Sequence, residues 1–174
     1  MQLQISDYCL FGYLLIALYL DVRHSRLPNW FTLSGMVFGL MFHMIVSGVS
    51  GLVFSMLGLL AAGLIFLILY LFRAMGAGDV KLFAAIGAIV GVELVLYLMM
   101  YSIIFGGIIG IFILLFTRTF LRKMTAALFA LIGSYLSRDF TDLENFKAEK
   151  GTRFPFMYAV IPAVITTYYY YTLY

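Results

Sequence analysis

Charge is what this sequence has least of: only 11% of its 174 residues are Asp, Glu, Lys or Arg, where soluble chains carry nearer a quarter. Hydrophobic residues make up 64% and mean hydropathy is strongly positive, more apolar surface than a soluble domain of this size can hide. The chain therefore reads as an integral membrane protein. Cysteine is nearly absent too. A single thiol, Cys9, excludes an intramolecular disulfide and a cysteine zinc site, and within its apolar run it is expected to be buried and inert. Two histidines, His24 and His43, are too few and too separated for a metal cluster. The opening MQLQISDYCLFG lacks a basic leading segment and a small-residue cleavage site, so it does not read as a removable signal peptide. The net charge of +3 falls in connections, where it reports topology rather than a nucleic-acid partner.

The apolar material comes in helix-length blocks, not in the alternating ten-residue pieces of a barrel. The expected fold is an all-α membrane protein, a single membrane-embedded domain over 1–174 with six spans, approximately 4–21, 28–46, 51–72, 79–92, 93–116 and 154–173. Pro28 suits the first turn of the second helix, where its missing N–H is no loss. Arg23, His24 and Arg26 lie in the first connection, and Arg73, with Lys81 just beyond, in the third. The fifth carries Arg118, Arg122, Lys123, Arg138, Lys147, Lys150 and Arg153, whereas 47–50 and 91–93 hold no Lys or Arg. Basic loops stay inside, so the odd connections are cytoplasmic and both termini face outward.

Within the fifth connection, 117–137 is expected to form an amphipathic or re-entrant helix at the inner surface, and 137–151 a polar cytoplasmic loop. The tail YYYYTLY (168–174) reads as an aromatic belt at the outer face. Small residues recur at helix-packing spacing: Gly35 and Gly39, Gly58 and Ala62, Ala84 and Ala88, Gly87 and Gly91, Gly106 and Gly110. Such pairs let helices approach closely in lipid and predict a compact bundle.

Against this background a few acids stand out. Asp7 and Asp21 bracket Tyr8–Leu20, and Asp79 and Glu93 bracket Val80–Val92; each run has thirteen residues, or about 20 Å of helix. A hydrocarbon core of about 30 Å is longer than either, so the bilayer thins there or a bracketing carboxylate is drawn inward. In the orientation above, Asp21 ends the first helix and Asp79 begins the fourth on the same, inner side. Two carboxylates meeting in a poorly solvated site cannot both ionise cheaply and would share one proton. Such a pair can activate water with its ionised member and polarise a carbonyl with its protonated one. In MGAGD (75–79), Gly76 and Gly78 allow unusual backbone angles or the close approach of another strand beside Asp79. Taken singly, each aspartate has a plainer explanation: Asp79 as a helix cap, Asp21 as a membrane-edge charge.

GAGDVKL (76–82) resembles the Gly-x-Gly-Asp motif of the type IV prepilin peptidases, the membrane aspartyl proteases of pilus and secretion systems. DVRHSRLPNW (21–30) is similar to their other landmark, an aspartate closing the first helix followed by a short basic segment and Pro-Asn. FPFMYAVIPAV (154–164) resembles their final helix, so the likeness runs over nearly the whole chain. It implies an endopeptidase in the bacterial inner membrane that removes the basic leader of prepilins or pseudopilins at the cytoplasmic face. Asp21 and Asp79 would be the catalytic pair, with water as nucleophile and neither cofactor nor metal. Gly76, Gly78, Lys81, Asn29 and Pro28 would support the site or the substrate. The presenilin-like enzymes share Gly-x-Gly-Asp, but their first aspartate follows a tyrosine and they carry a Pro-Ala-Leu motif near the end. Here Asp21 follows Leu20, and Pro162-Ala163 precedes Val164. The large bifunctional prepilin peptidases also carry a cysteine-bearing cytoplasmic segment after the first helix and N-methylate the mature pilin. This chain has no such segment between Asp21 and Asn29 and resembles instead the minimal enzymes of tight-adherence (Flp-type) pili.

Lys81 has two readings: its ammonium snorkels to the headgroups, or it meets a substrate acid or the aspartate pair. Asn29 is expected to hydrogen-bond the loop that carries Asp21, His43 to be structural, and Glu93 to lie on the outer side. Two other functions compete. A small proton-coupled transporter could relay protons through Asp21 and Asp79, although alternating access favours midplane sites at a repeat interface and no repeat is evident. A non-catalytic scaffold of a secretion machine would use the glycines for packing alone.

Overall fold

The structure, a computed structural model, describes residues 5–24, 27–72, 75–116 and 156–173. The expected interfacial helix and loop over 117–153 lie outside the described residues. Every element among the described residues is helical: α1 (Ile5–His24), α2 (Asn29–Leu71), α3 (Ala77–Phe116) and α4 (Met157–Leu173). The first three contain stretches long and apolar enough to cross a membrane. The chain divides into two compact units, Met1–Gly106 with Pro155–Tyr174, and Gly107–Phe154. All contacts described below lie within the first.

Two glycines break the long helices. Gly48 interrupts α2 with φ 63° and ψ −142°, and Gly91 interrupts α3 with φ 81° and ψ −178°. Positive φ of this kind is cheap only for glycine, which lacks the Cβ that would collide with the backbone. At Gly48 the chain doubles back. The His43 and Phe54 rings lie 5.2 Å apart, across a stretch that would cover about 16 Å in a straight helix. His43 and Ser55 reach the neighbouring carbonyls of Ile89 and Ala88, one from each arm of α2. Around Gly91 α3 folds back as well, because Phe156 lies beside Phe83 (6.2 Å between centroids) and also beside Gly106.

The first arm of α3 is the centre of the bundle. Residues 82–91 are buried without a break, as expected for a helix surrounded on every side. Its small residues permit this. A Cβ on Gly39 would stand 2.7 Å from the Ala88 carbonyl, and the backbones of Gly58 and Gly87 touch directly. These are the small-residue helix contacts anticipated from spacing. Gly106 packs near the Phe156 ring, whereas Gly110 faces open space. Phe66 stacks on Phe83 at 4.2 Å within the core. Leu15, Ile16, Ile45, Leu64 and Ile68 point outward, giving an apolar surface suited to lipid.

Two local expectations change. Pro28 stands just before α2 rather than in its first turn, in an extended conformation (φ −63°, ψ 139°). From there its carbonyl accepts the Phe31 and Thr32 N–H groups, so the ring fixes the entry angle of the chain. The aromatic tail is not wholly a belt either. Tyr168 is buried, donates a 2.8 Å hydrogen bond to Asp7 Oδ1 and tilts against Phe11, leaving Tyr169 and Tyr170 exposed.

Candidate active site

Asp21 sits in the last turn of α1 and is buried, only 7% exposed. A carboxylate taken out of water needs hydrogen-bond donors in its place. One comes from far along the chain: the Met157 main-chain N–H donates to Asp21 Oδ2 at 3.2 Å. Met157 opens α4, and the first N–H groups of a helix have no partner within it. An acid held there also faces the positive end of the helix dipole. The neighbouring cation goes elsewhere: Arg23 bonds the Tyr19 hydroxyl and lies over its ring.

Asp79 is held by the start of its own helix. The Gly76 carbonyl accepts the Asp79 N–H at 3.1 Å and the Val80 N–H at 3.4 Å, which makes Gly76 the cap of α3. Asp79 Oδ2 reaches back to accept the Gly76 N–H at 3.2 Å, the acidic half of a capping box. The carboxylate is half-buried. Positive φ among the described glycines is confined to Gly48 and Gly91, so unusual backbone angles at Gly76 and Gly78 are not used. A helix start closed by its own side chain does not require them. Space matters more. A Cβ on Gly76 would press to 3.3 Å from Asp79 Oδ2, whereas one on Gly78 would find its nearest neighbour, Leu27 Cβ, at 4.0 Å.

The field of the Asp21 carboxylate reaches Asp79. Each carboxylate uses Oδ2 for one main-chain N–H, and among the described residues neither Oδ1 has a hydrogen-bond partner. No third His, Cys, Asp or Glu among the described residues joins them in a metal-binding group. Beside them, Lys81 Nζ donates to Asn29 Oδ1 at 2.9 Å. The Asn29 side chain therefore serves the start of α3 rather than the loop after Asp21, while its carbonyl accepts the Thr32 hydroxyl. Glu93 is exposed just past the Gly91 break, separated from Asp79 by the first arm of α3. His43 is buried at that same end, where its Nε2–H donates to the Ile89 carbonyl at 2.8 Å.

Sequence reasoning missed Met157 as the partner of Asp21, and Phe156 as the residue that joins the same helix start to Phe83. A signal was available: Phe154-Pro155-Phe156 precedes an apolar run, and proline shortly before such a run marks a helix start. Free N–H groups there would have been candidate partners for a buried carboxylate.

The type IV leader peptidase family model matches residues 8–111. The matched stretch holds Asp21, Asn29, Gly76, Asp79 and Lys81 and ends before α4. No curated protein and no solved structure matches the chain.

Proposed function

This chain belongs to the type IV leader peptidase family and is thus a protease, and from that premise we propose that it is an aspartic endopeptidase working through Asp21 and Asp79. The observation that supports this reading is their arrangement. Two acids on separate apolar helices lie within electrostatic reach, each with Oδ2 fixed by a main-chain N–H. In such a pair one carboxyl is ionised and the other protonated. The ionised member takes a proton from water as the water oxygen bonds to the scissile carbonyl carbon. The protonated member gives its proton to the carbonyl oxygen. Collapse of the tetrahedral intermediate breaks the C–N bond, and the departing amine leaves with a proton from the pair.

The substrate class follows from the family: the leader of a type IV prepilin or pseudopilin, cut where the leader meets the membrane. The reversals at Gly48 and Gly91 support six crossings made from four helical elements. Together with the basic first and third connections, they support an active site on the cytoplasmic side of the bacterial inner membrane, with both termini outside. The space beside Gly78 leaves main chain accessible next to Asp79, where an extended substrate segment could lie. Lys81, Asn29 and Pro28 hold the starts of α2 and α3 around that edge. The short connection between Asp21 and Asn29 supports the minimal, tight-adherence kind of enzyme without a methyltransferase segment.

Co-expression with a candidate prepilin tests the proposal through the size of the pilin product. Asp21→Asn and Asp79→Asn are each expected to abolish processing at normal protein abundance, and Glu93→Gln to process normally. Full processing by both aspartate variants would exclude this mechanism.

A further inference from the structure

We infer that Phe156 and Met157, at the start of α4, are positioning residues for the aspartate pair, joined to Asp21 on one side and to the Asp79 helix on the other. The inference rests on Asp21 and Asp79 acting as the catalytic pair. Met157 fastens Asp21 through its main-chain N–H. Its side chain is itself buried in the core, so the amide is anchored rather than dangling. Phe156 sets its ring edge-on to Phe83 at 6.2 Å, one helical turn beyond Asp79. Phe83 is in turn stacked on Phe66, which fixes the ring that Phe156 meets. Two consecutive residues therefore touch both aspartate-bearing helices, α1 by a hydrogen bond and α3 by a ring.

The chemistry gives this joint a purpose. Hydrolysis requires a water to be held by both carboxyl groups at once, and small displacements of a reacting group are costly in rate. Asp21 is too buried for bulk water to replace a lost donor readily. With Oδ2 pinned by Met157, the direction of Oδ1 is set; without the pin, the carboxylate is free to rotate.

The local backbone permits a clean test. The Phe156 carbonyl accepts the Ala159 and Val160 N–H groups, so Phe156 caps α4 and Met157 is its first helical residue. Proline is favoured at that position, and a capping residue is already extended, as the residue before proline must be. Met157→Pro thus removes the N–H that Asp21 uses while keeping the helix. Met157→Ala truncates the buried side chain but keeps the N–H.

Steady-state cleavage of a prepilin by the purified full-length protein is measured for both variants, with melting temperatures alongside. The expected result is a kcat for Met157→Pro about 10- to 100-fold below that of Met157→Ala, with KM within about twofold and similar melting temperatures. Equal kcat values would overturn the inference. Should Met157→Pro fail to fold, Phe156→Leu decides: it keeps the capping carbonyl but loses the ring on Phe83. A kcat reduced several-fold at unchanged KM supports the joint, and an unchanged kcat refutes it. Asp21→Asn run in parallel separates the two levels. If it cleaves at the wild-type rate, the aspartyl reading has failed; if it is inactive while both Met157→Pro and Phe156→Leu are normal, only the positioning role has failed.

Discussion

Lys81 and Asn29 tie together two helices that begin far apart in sequence: the Lys81 ammonium donates to the Asn29 side-chain oxygen at 2.9 Å, linking α3 to the first residue of α2. Both side chains are exposed, so water competes for each of them. A contact of this kind contributes about 1 kcal/mol or less. Lys81→Ala and Asn29→Ala should therefore each shift the melting temperature by no more than about 4 °C. If the tie shapes the edge where substrate docks, each variant raises KM a few-fold with kcat preserved. The double variant should then be no worse than either single one, since both changes break one bond. Additive losses would mean that Lys81 meets the substrate on its own.

A second prediction concerns the Gly91 break. A helix interrupted there loses the N–H partners of its preceding carbonyls. His43 and Ser55 supply replacements, donating to Ile89 and Ala88 at 2.8 Å and 2.6 Å. Ser55→Ala and His43→Phe each leave a buried carbonyl without its donor, a cost of about 1–3 kcal/mol. Gly91→Ala should be worse than Gly48→Ala. Both force alanine into positive φ, but a Cβ at Gly91 also drives into the Phe54 ring, whereas Gly48 has open space. Thermal unfolding in detergent reads the order. Processing by the survivors should stay near wild type at low temperature, because this end of the arm is remote from Asp79.

Direct backbone contact between Gly58 and Gly87 gives a third. A Cβ on Gly87 would strike the Gly58 carbonyl, and one on Gly58 would lie 2.8 Å from Gly91 Cα. Backbone cannot swing aside as a side chain can. Gly87→Ala and Gly58→Ala should each destabilise by about 1–3 kcal/mol through overpacking. Gly12 is the matched control: nothing lies within 4 Å of a Cβ there, so Gly12→Ala should melt at or above the wild-type temperature.

These contacts show which parts of the molecule were readable in advance. Apolar blocks give helices by length alone, so α1 to α3 follow from pattern; glycine pairs at helical spacing point to a compact bundle, but that Gly58 meets Gly87 is seen only in the fold. The breaks at Gly48 and Gly91 coincide with the connections at 47–50 and 91–93 that hold no Lys or Arg, because the glycines there supply the reversals. Partners of buried carboxylates are harder to foresee. Hydrogen bonds such as Met157 to Asp21 join positions 136 residues apart, and their donor is a main-chain group that no side-chain motif encodes. In sequence, Lys81 is compatible with lipid, substrate or acid contacts; it bonds Asn29, since two exposed polar ends meet where the helix starts converge. Gly76 allows unusual angles or a close approach beside Asp79; the turn uses neither for its closure, which the Asp79 side chain supplies.

That closure separates the two glycines of the motif and yields the sharpest prediction. A methyl group at Gly76 would lie 3.3 Å from Asp79 Oδ2, tighter than ordinary contact, and would push the carboxylate from its N–H. Gly76→Ala is thus expected to lower kcat, by about tenfold or more, because the reacting acid itself is displaced. Gly78 has no such neighbour; its Cβ would meet Leu27 at 4.0 Å, so Gly78→Ala should leave the fold, the melting temperature and the Asp79 capping bond intact. What it would remove is room on the open side. If a substrate segment lies there, Gly78→Ala raises KM while kcat falls little, the opposite split from Gly76→Ala. Steady-state cleavage by the two variants side by side distinguishes these roles. A Gly78→Ala enzyme with wild-type KM would place the substrate on some other edge of Asp79.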